Sequence, residues 1–292
     1  MSIQGPTVSG SDFNSNAQHA DQFVSVGSVR VDIRFIAPVF ISILLLVGQI
    51  TFGLLESYSH TLSAIAASIL TEIILGLIVF KKVPHLASAY VSGISVGILV
   101  RSVFFWPFIF CGIISILSKY VFRWHGRHIW NPSNFGIAMM ILLASQAMST
   151  LGAQWGNSLV PMIIVWILGS IIVMRLKRFH ICVAYVASFV VFAVLRSVFN
   201  GQPVVAELAP ITGPMYQLFI FFMITDPKST VKTRNGQILV AVCVAAMESV
   251  MRVFQNIHAP YFALFTVGPI AVLIEIWWSN RRQTRNVLPI TA

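Results

Sequence analysis

The sequence predicts an all-α polytopic membrane protein, with about ten transmembrane helices, some of them half-length or broken, and with N and C termini cytoplasmic. Three observations predict it. Hydrophobic residues make up 57% of the 292 positions and charged ones 10%, with mean hydropathy +0.84, which is not the composition of a soluble domain. Apolar runs recur at lengths that cross, or nearly cross, a hydrocarbon core about 30 Å thick. Lysine and arginine alternate in phase with those runs.

Residues 1–29 are rich in Ser, Asn, Gln and Gly and hold no apolar run, so they are expected to form a disordered polar tail and not a signal peptide. A membrane domain over 30–280 follows, with a basic cytoplasmic tail at 281–292. Its apolar segments fall at 34–55, 61–80, 86–104, 106–120, 133–148, 158–175, 180–199, 214–226, 236–254 and 260–278. Basic residues gather before the first segment and after each even-numbered one: Arg30 and Arg34, Lys81 and Lys82, Lys119 to Arg127, Arg175 to Arg178, Lys228 to Arg234, and Arg281 to Arg285. Sixteen of the nineteen therefore lie on one side, which sets that side as cytoplasmic. Basic residues that flank apolar runs are explained by the membrane, so the net charge of +10 does not point to nucleic acid.

The three remaining basic residues, Arg101, Arg196 and Arg252, sit near the outer ends of segments three, seven and nine. An arginine in such a place snorkels to the interface or faces the bundle interior. Glu248 stands one turn before Arg252, an i,i+4 spacing that puts both on one helix face. Glu72 lies deep in segment two without a sequence-local partner, and either handles a proton or ion or pairs with one of these arginines. Together these five residues are the candidate charge pathway.

Segments three, five and eight carry the polar signals. Gly93 and Gly97 form a GxxxG in segment three, which lets a neighbouring backbone or a flat ligand approach closely. Segment five opens on Asn131-Pro132-Ser133-Asn134, in which Asn131 can cap the helix, Pro132 suits its first position, and Ser133 and Asn134 can satisfy remaining donors. Segment eight, thirteen residues from Pro214 to Asp226, reaches only some 20 Å as a helix, too short to cross alone. Half-length helices at membrane depth line cavities, and their ends are common ligand sites. Cys111, Cys182 and Cys243 lack CxxC spacing, and no histidine stands mid-helix as a pair of haem ligands would, so metal and haem sites are not read here. Soluble catalytic sets and phosphate loops are likewise missing, and redox chemistry would have to come from a cofactor.

Three stretches carry a resemblance. Ser88-Ala89-Tyr90-Val91-Ser92-Gly93 resembles the SAxVTG helix, Asn131-Pro132-Ser133-Asn134-Phe135-Gly136 the NPxxFG turn, and Phe222 to Thr230 the FxxTDPxTS ending of the RnfD/NqrB membrane subunits. Those are subunits of the Rnf and sodium-pumping NADH:quinone oxidoreductase complexes. The chain also resembles the short UnbU-type proteins of enediyne clusters, a divergent branch. The resemblance implies a bundle related to urea-channel-like folds in the inner (plasma) membrane, holding flavin and working with other membrane or soluble redox subunits, with a quinone as a further partner. It implies a cofactor pocket walled by Ser92, Asn131, Pro132, Ser133, Asn134, Thr225 and Asp226. It also points to Thr150, in the outer loop where family members carry FMN on a threonine of an SGAT-like motif. Met148-Ser149 replaces the Gly-Ala of that motif here, so FMN or riboflavin is expected to be held non-covalently. The alternatives are a channel or carrier for a small polar or anionic solute, and a cofactor-less scaffold subunit.

Overall fold

The computed structural model describes residues 23–26, 29–53, 55, 57–124, 127–150 and 159–287. Most of the expected polar tail lies outside the described residues. Across its end, β1 (Phe23–Val26), which lies within the tail, and β2 (Val29–Asp32) pair as an antiparallel hairpin. Helices then stand where the apolar segments were expected: α1 (Ile33–Phe52), α2 (Tyr58–Phe80), α3 (Ala87–Leu99), α4 (Trp106–Val121), α5 (Pro132–Ala144), α6 (Leu159–Arg175) and α7 (Phe179–Asn200). After a broken element come α10 (Arg234–Val253) and α11 (Ala259–Val287).

Among the described residues, four helices are long and apolar enough to cross a membrane: Tyr58–Phe80, Phe179–Asn200, Arg234–Val253 and Ala259–Arg281. A bent pair makes a fifth if its two halves are one span, and shorter apolar helices include Ala87–Leu99, Trp106–Val121 and Pro132–Ala144. Large apolar side chains such as Leu62, Leu70, Val198 and Leu239 point outward. Only a lipid surround makes that favourable, and the chain is a multi-pass membrane protein.

The bent pair corrects the reading of segment eight. The stretch expected as an outer loop, 200–213, contains α8 (Val204–Leu208) and a 3-10 turn (Ala209–Thr212), bent by 62° from the element that follows. That element is α9 (Pro214–Leu218) running into a wide π turn over Phe219–Met223. Pro203, Pro210 and Pro214 punctuate the stretch, and a proline inside a helix removes one backbone donor and clashes with the preceding turn. The sequence therefore reads as loop although it coils twice.

Small residues set the packing. A Cβ on Gly93 would lie 2.6 Å from Ile65 Cα, and one on Gly97 2.6 Å from Thr61 Cγ2, so the GxxxG face seats α3 on α2 and receives no flat ligand. At Gly136 a Cβ would fall 2.0 Å from Ser115 Oγ, which is how α5 crosses α4. Two short strand pairs tie the ends together. β3 (Val100–Arg101) pairs with β6 (Ser149–Thr150) at one end, and β4 (Arg123–Trp124) with β5 (Arg127–His128) at the basic end.

Candidate functional site

The site at the basic end starts from the Asn131-Pro132 turn. Asn131 is the N-cap of α5, and its Oδ1 accepts from the Asn134 N–H at 3.1 Å and from Ser133 Oγ at 3.0 Å. Pro132 occupies the first turn, where its missing N–H costs nothing. Trp130 clamps the turn from outside: its ring meets Phe122, Phe135 and Phe265, and its Nε1 donates to the Phe265 carbonyl at 2.9 Å.

The second wall is the Thr225-Asp226-Pro227 break. The π turn closes with Ile224 N donating five residues back to Phe219 O at 3.0 Å, an unusual geometry that tends to mark functional positions. Asp226 then folds its own loop: Oδ1 accepts from the Lys228 N–H at 3.2 Å, Oδ2 from Ser229 Oγ at 2.7 Å, and its carbonyl from Thr230 Oγ1 at 2.7 Å. Asn131 Nδ2 reaches both elements, with long contacts of 3.4 Å to Met223 O and 3.5 Å to Asp226 Oδ2. Two polar breaks far apart in sequence thus meet, as expected.

Other expected wall residues do not join them. Ser92 Oγ donates to Ser88 O at 3.0 Å and Thr225 Oγ1 to Phe221 O at 2.6 Å, so both hydroxyls serve their own helices. Asn134 turns inward, its Nδ2 donating to Tyr261 O at 3.2 Å while its buried Oδ1 has no partner. Thr150 is at the opposite end, paired in β6, with its hydroxyl 2.8 Å from His258 Nδ1. The rest of its loop, from Leu151 through Trp155, lies outside the described residues.

The cavity behind Asn131, Met223 and Thr230 has a volume of about 10 Å³, room for one water and not for a ring system. A second cavity of about 830 Å³ lies beside it, sharing Ile129, Val231, Val240 and Ala271 as a common wall. This groove between α10 and α11 falls within the usual size range of small-molecule sites. Its sides are apolar (Leu239, Val267, Ile274), and its polar end holds Arg127, His128, Lys232 and Glu275. Arg127 is fixed by Glu275 at 3.1 Å and by Thr230 O at 2.6 Å, and Glu275 also accepts from the Lys232 N–H at 2.6 Å.

His128 is the informative member. It is 7% exposed, and neither ring nitrogen meets a hydrogen-bond partner. Burial, reinforced by Lys228, Lys119 and Arg123 nearby, pushes its pKa down to about 3, and the Lys119 backbone carbonyl opposes this only weakly. The ring is therefore neutral, with one N–H to give and one lone pair to receive.

The expected charge pathway resolves into pairs. Glu72, 6% exposed, has the partner its sequence context hid: Lys119 Nζ at 2.5 Å, with Tyr120 Oη donating at 3.3 Å. This corrects the expectation of an arginine partner, and it moves Lys119 from the loop flank into a buried place in the last turn of α4. Glu248 is fully buried; Tyr185 and Tyr216 donate to it and Arg252 Nε reaches it at 2.9 Å, as the i,i+4 spacing implies. Arg252 also donates to Tyr216 Oη. Arg196 Nε donates to Glu207 at 2.8 Å, which pins α8 to α7. Arg101 donates to the Ile98 and Val100 carbonyls at 3.0 and 2.9 Å, closing the end of its own helix. His128, Lys119, Tyr185, Tyr216 and Glu207 were missed by sequence reasoning. The only signal was that buried carboxylates require donors, which names no residue.

The family model described as the NQR2, RnfD, RnfE family matches residues 155–282. That stretch covers the Thr225-Asp226-Pro227 break, both walls of the groove and the Tyr185–Glu248–Arg252 cluster, while Ser88–Gly93 and Asn131–Gly136 precede it. No curated protein matches the chain.

Proposed function

We propose, from the match of the NQR2, RnfD, RnfE family model to residues 155–282, that the chain is an electron-transfer subunit of a membrane redox complex, holding a flavin in the groove between α10 and α11. The observation that carries the reading is His128: a neutral, buried imidazole with neither nitrogen in a well-formed hydrogen bond, at the polar end of a cavity of about 830 Å³. A buried polar group without a partner is costly, and a ring carbonyl or ring N–H of a ligand would satisfy it.

Bound there, FMN or riboflavin would supply the electron chemistry that no side chain offers. The chain's own residues do the rest. Val240, Val267 and Ile274 exclude water and lower the local dielectric, while Arg127, held by Glu275, keeps a positive charge at the polar end without moving. Asn131 and Asp226 stand behind the shared wall and fix its shape. A quinone, planar and carbonyl-bearing, has the same needs and is the second occupant to test. A ten-span topology with both termini cytoplasmic places the groove's polar end on the cytoplasmic side and Thr150 on the outer side of the inner membrane. With Met148-Ser149 before Thr150 and His258 on its hydroxyl, non-covalent attachment is the favoured mode. Solute transport is less well supported, because Glu72 and Glu248 already hold cations against them.

The test is purification of the full chain from cells that supply its native partners and the flavin-attaching enzyme. Acid extraction is expected to release flavin fluorescence, with none retained on a denaturing gel, and His128→Leu is expected to lower the bound fraction. A colourless wild-type preparation would refute the reading.

A further inference from the structure

A separate cavity of about 920 Å³ opens at the same basic end, where the turn between α6 and α7 meets the start of α10. Lys177, Arg178, Lys232 and Arg234 line it together with His180 and Gln237, and among the described residues no aspartate or glutamate does. The contrast with the neighbouring groove is sharp, since there Glu275 accompanies Arg127. The positive-inside pattern accounts for basic residues beside a helix end. It does not account for a half-buried guanidinium with one inward nitrogen that no hydrogen-bond partner meets among the described residues. Arg178 Nη1 is buried and has no hydrogen-bond partner. Burial, with Arg127 nearby, pulls the Arg178 pKa below the usual arginine range, and Asp226 only partly compensates. Asp226 is itself engaged by Ser229 and the Lys228 N–H.

The floor is rigid. Gln237 Nε2 donates to Val231 O at 2.8 Å, so its Oε1 is left as acceptor for His180 Nε2 at 2.7 Å. That fixes the amide orientation and makes His180 Nε2 the protonated nitrogen. The side chain that closes the cavity floor is thereby locked before any ligand arrives.

We propose that this cavity is a binding site for a phosphate group, presented by an anionic lipid headgroup or by a soluble phosphate ester. Phosphate fits better than a carboxylate because a monoester brings about −1.5 to −2 charges and three acceptor oxygens, matching several donors at once. Arg178 is the central contact, its unpartnered nitrogen supplying a charge-assisted hydrogen bond. Lys177, Lys232 and Arg234 complete the positive field. The site shares Lys232 with the polar end of the groove, but Lys177, Arg178 and Arg234 line this cavity alone and His128 does not line it, so the two readings can be tested apart.

The full chain is placed in phosphatidylcholine nanodiscs. Inorganic pyrophosphate is titrated with thermal stability as the readout, and in a parallel arm phosphatidic acid is mixed into the discs and the bound lipid counted by native mass spectrometry. Three variants accompany the wild type: Arg178→Gln, the exposed pair Lys177→Gln with Arg234→Gln, and a control pair, Lys82→Gln with Arg281→Gln, outside the cavity. Saturable pyrophosphate binding, weakened about tenfold or more by either cavity variant and spared by the control, supports a soluble phosphate ester. Selective retention of phosphatidic acid that the cavity variants abolish supports a lipid headgroup. The proposal is overturned if neither probe binds saturably, or if the control pair weakens binding as much as the cavity variants. The exposed pair keeps the test decisive should Arg178→Gln fail to fold.

Discussion

Replacing Glu72 by Gln removes one charge and almost no volume, yet it should be among the most damaging surface-neutral substitutions in the chain. The Glu72 and Lys119 side chains are 8% and 6% exposed, so water cannot take over when one partner goes. Lys119 would be left as a bare ammonium, or would have to lose its proton. For an amine of ordinary pKa near 10.4, deprotonation at pH 7 costs about 4.6 kcal/mol, which caps the penalty. Breaking a buried pair from one side typically costs about 3–5 kcal/mol, consistent with that cap. At about 1.4 kcal/mol per tenfold, Glu72→Gln should raise the unfolded fraction roughly a hundredfold to a few thousandfold. Lys119→Met should cost somewhat less, because the Tyr120 hydroxyl still donates to the Glu72 carboxylate. The double variant Glu72→Leu with Lys119→Met leaves no charge behind and should return to within about 1 kcal/mol of the wild type. Denaturant unfolding in mixed micelles, run as a double-mutant cycle, measures all three. Additive losses in the double variant, or single losses under about 1 kcal/mol, would sink the reasoning that the pair is mutually required.

Three further outcomes follow from the geometry. Asn131→Ala removes the acceptor for the Asn134 N–H and should cost about 1 kcal/mol, whereas Asn131→Ser should keep most of the cap; thermal melting compares them. Gly136→Ala drives a methyl to within 2.0 Å of Ser115 Oγ and 2.7 Å of Cys111 O, so it should cost about 1–3 kcal/mol, with Ser115→Ala rescuing only the first clash. His128, held neutral with its pKa near 3, stabilises the fold fully above the ordinary histidine pKa of about 6.5. As pH falls below that, the unfolded chain takes up the proton first. Stability should therefore drop by roughly 2 kcal/mol by pH 5, a slope that His128→Leu abolishes.

The fold was legible where physics acts over one helix length. Apolar runs placed the helices, the Asn131-Pro132 cap formed as its residues require, and Glu248 paired with Arg252 because i,i+4 spacing fixes their faces. Proline defeated the reading at 200–213, since Pro203, Pro210 and Pro214 signal breaks without saying that two coils lie between them. The site was half legible. Asn131 and Asp226 meet because both are helix breaks at one end of the bundle, which alternating charge reveals, but Ser92 and Thr225 resolve into hydroxyls bonded to their own helices, a local choice open to any buried serine or threonine.

What stayed hidden is long-range pairing. Lys119 looks like one more positive-inside residue, and nothing within its own helix says that its ammonium turns inward toward Glu72, which precedes it by a helix and a loop. The same holds for Tyr185 and Tyr216, ordinary aromatic members of apolar segments until Glu248 demands donors. A buried carboxylate in a single sequence is thus a debt of known size with an unnamed creditor: its donors must exist, and only the packing says which. His128 reverses that logic. There the packing gives neither ring nitrogen a well-formed hydrogen bond, with only the Lys119 carbonyl acting on the ring, which is why the proposed ligand is placed beside His128 at the polar end of a cavity of about 830 Å³.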